Sequence, residues 1–298
     1  MAGYTQTGAK VSIITPSYNQ GQFIEQTIKS VLNIGADNLE YLIMDGGSTD
    51  QTVEVIKRHE HFITHWVSER DRGQSHAINK GMAMATGDIM GWLNSDDVYM
   101  PDILPHVLDA LDVTKPEICF GNCIHFRQGP EAIEAWGSNV VYQSQNSRLA
   151  NYDYIIQPSS FWTRKAWELA GPLREDVHYA FDWEWFLRAE AAGVTFRSLP
   201  QCLSMYRMHD AHKTGTGGTK RQEEIRAIYS QYAPEYAKLY DLVKQEDFSG
   251  AGVKNRFVKK YLRLAGKPNS NIDVVKYLKP QQYGNYLATE IQACRWML

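Results

Sequence analysis

Twice near its start the sequence runs a short apolar stretch into a polar, glycine-bearing loop and on into a helix-period pattern, and this repeated unit most constrains what the chain can fold into. Residues 11–18 (Val-Ser-Ile-Ile-Thr-Pro-Ser-Tyr) are β-rich and stop at a proline. They open into Asn19-Gln20-Gly21-Gln22, after which apolar residues recur at helical spacing over 23–34. Residues 39–44 (Leu-Glu-Tyr-Leu-Ile-Met) end in Asp45-Gly46-Gly47-Ser48-Thr49-Asp50, and Val53, Val55 and Ile56 begin the next helical pattern. Alternating short strands and helices imply a parallel sheet with crossover helices, in which ligands bind beyond the carboxyl ends of the strands.

A third apolar run delivers chemistry to that edge. Gly91-Trp92-Leu93 empties into Asn94-Ser95-Asp96-Asp97, and adjacent carboxylates are hard oxygen donors suited to Mg²⁺ or Mn²⁺. Such ions keep several waters and bind through one or two carboxylates plus the phosphates of a substrate, so the site expects a phosphorylated partner. The competing reading is an exposed turn or helix cap ahead of Pro101. The three loops, Thr15 to Tyr18, Asp45 to Asp50 and Asn94 to Asp97, are expected to face one crevice.

Four segments in order resemble the family 2 glycosyltransferases, whose catalytic domain has the nucleotide-sugar-binding GT-A fold. They are Ile13 to Asn19, Met44 to Asp50, Glu69 to Gly81, and Ala85 to Asp88 leading into Asn94 to Asp97; the resemblance spans roughly residues 9–215. It implies an α/β fold of GT-A type, a Rossmann-like, mixed and mainly parallel sheet flanked by helices, with a C-terminal helical extension. The implied division is a catalytic domain over 1–219, with a nucleotide-sugar half at about 9–100 and an acceptor half at about 101–219, followed by an extension over 220–298.

By that resemblance Thr15, Pro16, Ser17 and Tyr18 line the base and ribose pocket, and Asp45 and Gly46 meet the base, commonly uracil. An ionised carboxylate only accepts hydrogen bonds, so Asp45 would select a base edge presenting N–H; a turn aspartate is its structural alternative. Arg72 is expected to donate to phosphate oxygens, Gly73 to permit close backbone approach, and Lys80 to add a second positive charge. Asn94 and Ser95 belong to the same nucleotide-sugar site. Asp97 is the expected metal ligand, with Asp96 on ribose or a metal-bound water. His76 stands where many relatives carry aspartate, and no catalytic role is assigned to it.

In the second half Gln157, Pro158 and Ser159 resemble the segment bordering the acceptor. Asp182-Trp183-Glu184 falls where the family places its general base. An inverting transfer needs one carboxylate to take the proton of the acceptor hydroxyl; Asp182 is the candidate, Glu184 the alternate, and Trp183 a candidate ring for a sugar face. A plain helix N-terminus with acidic residues is the alternative. His209, closing Tyr206-Arg207-Met208-His209, is expected near the metal, and imidazole suits Mn²⁺ better than Mg²⁺. The glycine-rich run 213–219 reads as a lid over the donor or a linker.

The chain has 298 residues, a net charge of −3 and four cysteines. Nothing in that charge proposes nucleic acid as a partner. No membrane-spanning run or signal-peptide core is evident, so a cytoplasmic location is expected, and the cysteines show no zinc spacing and read as free thiols. In the helical tail, Lys254, Arg256, Lys259, Lys260, Arg263 and Lys267 interleave with Phe257, Val258, Tyr261, Leu262 and Leu264. That pattern suits peripheral contact with an anionic inner membrane face, and equally a solvated helix face. The expectation is a metal-dependent inverting glycosyltransferase moving a sugar from a nucleotide diphosphate donor, foremost a UDP-sugar, to a glycan or lipid-linked glycan acceptor in bacterial surface polysaccharide synthesis. The alternatives are an inactive glycan-binding scaffold of the same fold and a sugar nucleotidyltransferase.

Overall fold

A computed structural model describes residues 8–35, 38–129, 131–209, 213, 217–246, 260, 264 and 271–298. These form two compact units, one of residues 1–146 and 154–216, the other of residues 147–153 and 217–298.

The first unit begins with the repeat seen in the sequence. Strand β1 (Val11–Ser17) is buried at every position, and β2 (Leu39–Asp45) at all but its first. Continuous apolar burial of this kind marks parallel strands covered on both faces. Between them, α1 (Ile24–Val31) buries Ile24, Thr27, Ile28 and Val31, the spacing that lays one helical stripe on a sheet. Next come α2 (Thr52–Arg58) and β3 (His65–Ser68), then α3 (Gln74–Met84) and β4 (Ile89–Trp92). A Cβ at Gly81 of α3 would lie 2.6 Å from the Ile14 side chain, so a residue without one is needed for the helix to approach β1 this closely.

The second half of the unit adds β5 (Val98–Tyr99), α4 (Leu104–Ala110), β6 (Glu117–Gln128), β7 (Ile133–Gly137) and α5 (Val140–Asn146). After it come β8 (Ser160–Thr163), α6 (Arg164–Ala170), α7 (Phe181–Ala191) and β9 (Thr195–Arg207). The sheet order is β3-β2-β1-β4-β8-β6-β9-β5, with β7 pairing β6. β3, β2, β1 and β4 run parallel, as the alternation implies. Antiparallel pairs enter with β8, β7 and β5, while β6 and β9 are parallel, so the sheet is mixed.

The chain winds outward from β1 to β3, then returns to place β4 on the other side of β1. That reversal opens a crevice beyond the carboxyl ends of β1 and β4, the place where such sheets bind ligands. A core including Ile13, Ile28, Tyr41, Ile43, Leu93, Phe161 and Leu203 welds the two halves of the sheet together.

The described residues of the second unit's 217–298 stretch are mostly helical, as the tail pattern predicts. Helices Gly218–Tyr232 and Pro234–Lys244 pack through stacked Tyr229 and Tyr236, 6.0 Å apart, and Tyr236 donates to Glu290 in helix Ala288–Trp296 at 2.6 Å. Residues 147–153, placed by the sequence reading in the acceptor half, belong to this unit: Tyr229 donates to the Asn151 carbonyl, and Tyr152 packs edge-on against Trp296. Lys254, Arg256, Phe257, Val258, Lys259, Tyr261, Leu262, Arg263 and Lys267 lie outside the described residues, as do Thr214, Gly215 and Thr216 of the glycine-rich run. No helix among the described residues is long and apolar enough to cross a membrane. All four cysteines are free thiols; Cys119, Cys123 and Cys294 are buried and Cys202 is half-buried.

Candidate active site

The crevice is built around the loop that follows β4. Asp96 and Asp97 are adjacent in sequence but opposite in environment. Asp97 is 1% exposed; it accepts the Arg207 N–H at 3.0 Å and the Asn94 side-chain amide at 3.4 Å. Burial, followed by the neighbouring Asp96 carboxylate, pushes the Asp97 pKa well above the ordinary carboxylate range. Asp96 keeps 21% of its side chain exposed, and its Oδ2 lies 3.0 Å from Nε2 of His209, just past the end of β9. The open carboxylate is therefore Asp96, whereas the expected ligand Asp97 is turned inward as a latch for the β9 backbone.

Several elements hold this loop from outside. Thr27 of α1 donates its hydroxyl to the carbonyls of Ser95 and Asp97, at 2.9 and 2.8 Å. The Arg207 guanidinium lies between Phe23 and Phe126, 4.8 and 4.6 Å from their ring centres, and donates to the Asp96 carbonyl at 2.9 Å and to Gln26. Phe23 also packs on the His209 ring at 4.9 Å. Phe23, Gln26, Thr27 and Arg207 were legible in the sequence only as helix or strand residues, because their role depends on contacts from far along the chain.

The loop after β2 is organised differently. Asp45 is 2% exposed and takes four hydrogen bonds: Gly47 N, Ser48 N and the Ser68 hydroxyl on Oδ2, and the Ser48 hydroxyl on Oδ1. Its local role is that of a turn residue, with Gly47 at φ +83° supplying the left-handed turn. A Cβ on Gly46 would sit 2.7 Å from Asp71 Oδ2, so this glycine lets the Asp71 loop close over β2. Of the expected base pocket, Thr15, Pro16 and Ser17 are buried in β1, Thr15 Oγ1 sits 3.1 Å from the Tyr41 hydroxyl, and Tyr18 is 62% exposed. Among the described residues the buried Ser17 hydroxyl has no hydrogen-bond partner.

On the flank, Asp71 accepts the Gly73 N–H, and Gly73 at φ +121° opens α3. Arg72 forms a two-pronged ion pair with Glu175, and Lys80 pairs with Glu69, so both expected phosphate donors are engaged with carboxylates in this state. Gln74 joins the crevice, where its amide donates to Asn94 at 2.8 Å and its carbonyl accepts from Lys213 at 3.0 Å. Lys213 lies 5.0 Å from the centre of the Phe181 ring.

The acceptor-side residues divide in the same way. Asp182, half-buried in the first turn of α7, accepts the Trp183 N–H at 2.9 Å. Glu184 is 1% exposed and bound at both oxygens by Arg188, one helical turn on, which fixes it as a structural anchor. Trp183 is 1% exposed, so it packs as core and presents no open face to a sugar. Gln157, Pro158 and Ser159 are buried struts: Gln157 donates to the Trp92 carbonyl at 2.8 Å, and the Ser159 hydroxyl lies 2.6 Å from that of Ser204. Trp92, Trp162 and Trp185, with ring centres 4.9 to 6.4 Å apart, tie α7 to β4 and so fix Asp182 relative to the Asp96 loop.

The donor set can be tested for a divalent cation. Asp96 and His209 offer one carboxylate and one imidazole, and among the described residues no third His, Cys, Asp or Glu completes a metal-holding group. Such a pair fits a cation that keeps several waters and takes its remaining ligands from a diphosphate. The imidazole favours Mn²⁺.

The fold and crevice define a GT-A protein. Solved structures share the architecture: S. aureus TarS 1-349 in complex with UDP-GlcNAc, with a TM-score of 0.58 and 15% identity, covers 96% of this chain and 81% of that one. The mannosyltransferase PcManGT from Pyrobaculum calidifontis in complex with GDP-Man and Mn²⁺, with a TM-score of 0.59 and 16% identity, covers 99% and 88%. The family model of glycosyl transferase family 2 matches residues 12–167, and the chain belongs to that family. Curated relatives include the chondroitin synthase of Escherichia coli, 28% identical over 189 residues, 61% of this chain and 27% of that protein. An uncharacterized glycosyltransferase of Mycobacterium tuberculosis is 31% identical over 157 residues, 52% of each chain.

Proposed function

We propose that this family 2 glycosyltransferase moves a sugar, with inversion, from a nucleotide diphosphate donor, foremost a UDP-sugar, to a hydroxyl of a glycan or lipid-linked glycan in surface polysaccharide synthesis. The observation that carries the reading is the accessible Asp96–His209 pair at the switch point of the sheet, on the same rigid frame as Asp182. Neighbours solved with UDP-GlcNAc or with GDP-Man and Mn²⁺, and polysaccharide synthases among the relatives, support it.

In this reading Tyr18 offers its exposed ring to the base, and Ser17, Gly46 and Asn94 line the nucleotide's path, with Ser95 and Asp97 fixing the loop. Asp96 and His209 hold a divalent cation, which supplies charge stabilisation for the departing diphosphate. Arg72, Lys80 and Lys213 are the protein's own cations for phosphate. Arg72 and Lys80 reach it by leaving Glu175 and Glu69, an exchange that favours the more highly charged partner. Gly73 gives the chain its close approach. Asp182 takes the acceptor proton, while Glu184, Gln157, Pro158, Ser159 and Trp183 hold the acceptor side in shape from within. Contact of the basic tail with an anionic membrane face belongs to the same proposal; liposome co-sedimentation indifferent to charge reversal there would remove it.

Calorimetric titration of UDP, GDP, dTDP and CDP and their sugars, with Mn²⁺, Mg²⁺ or EDTA, tests the core of this. Metal-dependent binding of one nucleotide is expected; no binding to any of them would leave the scaffold alternative.

A further inference from the structure

The sheet carries a second surface beside the crevice. Side chains alternate across a strand. Where β6 pairs β9, Phe126 and Arg207 therefore share the face that meets Phe23 and the Asp96 loop, while His125 and Tyr206, one step earlier, share the opposite face. β7 adds Trp136 directly across from His125. The His125 and Trp136 rings stack with centres 5.7 Å apart and planes 9° off parallel, and Tyr206 packs on His125 at 5.5 Å. Trp136 is 47% exposed. Burial lowers the His125 pKa, which favours the neutral ring in the middle of the stack. Toward the strand ends, Arg127 and Glu134 are register partners, both exposed. Toward the interior the same face reaches Ser204, whose hydroxyl meets Ser159.

We propose that Trp136, His125 and Tyr206 form a saccharide-stacking subsite that holds a pyranose of the glycan acceptor away from its reacting hydroxyl; this deepens the glycosyl-transfer reading and rests on it. A pyranose presents an apolar C–H face edged by hydroxyls. It matches a flat aromatic surface bordered by groups that donate and accept hydrogen bonds, here Arg127 and Glu134. The mixed charge of that border does not fit an anionic membrane surface, which would call for a cluster of cations. Continuity fixes the occupant: the face that carries Tyr206 runs on through Ser204 to Ser159, in the segment this reading places on the acceptor side, so an acceptor chain long enough to leave the crevice on that side would run over it. The buried Trp183 cannot serve this purpose, and the exposed Trp136 can.

The test uses the full chain and its W136A and W136F forms on an array of defined bacterial and animal oligosaccharides, with calorimetry on the glycans retained. Each form is also titrated with UDP and GDP in Mn²⁺, and its oligomeric state is read by sedimentation. Glycan binding is expected to weaken roughly tenfold in W136A, the scale of one lost aromatic contact. W136F should recover most of it, with nucleotide affinity and folding unchanged. Glycan binding equal in all three forms, nucleotide binding without any glycan binding, or a dimer that W136A dissociates would each overturn the subsite. Failure of the wild-type protein to bind any nucleotide would instead overturn the parent reading.

Discussion

Two loops leave the same edge of the sheet, each at the end of a buried strand and each bearing aspartate, yet their aspartates do different work. After β2, Asp45 spends both carboxylate oxygens on its own turn and on Ser68. After β4, the loop is held through its backbone by Thr27 and Arg207 and through the inward Asp97, which leaves the Asp96 carboxylate accessible beside His209. A carboxylate stays available for chemistry when other groups carry the structural burden of the loop. Asp45, by contrast, ties its carboxylate into its own turn, which gives it a structural part in the loop beside any role toward a base.

That contrast can be broken most directly at Asp96. Asp96→Asn should lower transfer by about a hundredfold or more, as loss of a charge-stabilising group does, while thermal stability stays near wild type; unchanged turnover would reverse the assignment. The next effect should come from Arg207→Lys, which keeps the charge but loses the planar fork. Mn²⁺ affinity, measured by calorimetry, should fall by roughly tenfold or more, the range for groups that orient a ligand, with the nucleotide's metal-free affinity little altered. Asp45→Asn sharpens the other side: urea denaturation should show a loss of about 2 kcal/mol, since hydrogen bonds to a charged acceptor are broken. A large loss of UDP affinity without loss of stability would instead show Asp45 reading the base.

The smallest effect is expected at Glu40, away from the crevice. Burial raises its pKa, but hydrogen bonds from Lys10, Ser12 and Thr86 outweigh this and bring it down from 4.5 to about 2. A carboxylate whose pKa is depressed by folding stabilises the fold above its unfolded value and loses that contribution as pH falls through the folded one. Glu40→Gln should cost about 1 kcal/mol at neutral pH, and the gap to wild type should close between pH 4.5 and about 2. A gap independent of pH would show that packing, and not charge, matters there.

The sequence carried the repeat of strand, loop and helix because burial on both faces leaves an uninterrupted apolar run. It also brought the β4 loop and His209 into one site. Which of two neighbouring aspartates opens was not legible, since Asp97 is closed by a backbone N–H 110 residues away. The same limit explains Glu184 and Trp183. Their types and spacing suit an acceptor site, but Arg188 and the surrounding tryptophans decide that they face inward. The stacked rings on β6, β7 and β9 left no motif at all, because cross-strand partners are scattered along the chain.

The route of the chain through residues 147–153 has a practical consequence for anyone dividing this protein. The first unit is not one continuous stretch: the polypeptide leaves it after Asn146, contributes seven residues to the helical unit, and re-enters at Tyr154. Cutting at residue 216 would not release a clean catalytic piece, because Asn151 and Tyr152 would lose Tyr229 and Trp296 while remaining tethered at both ends. A loop deprived of its partners in that way is a seed for proteolysis and self-association. The separable module therefore has to be excised with residues 147–153 bridged by a polar turn.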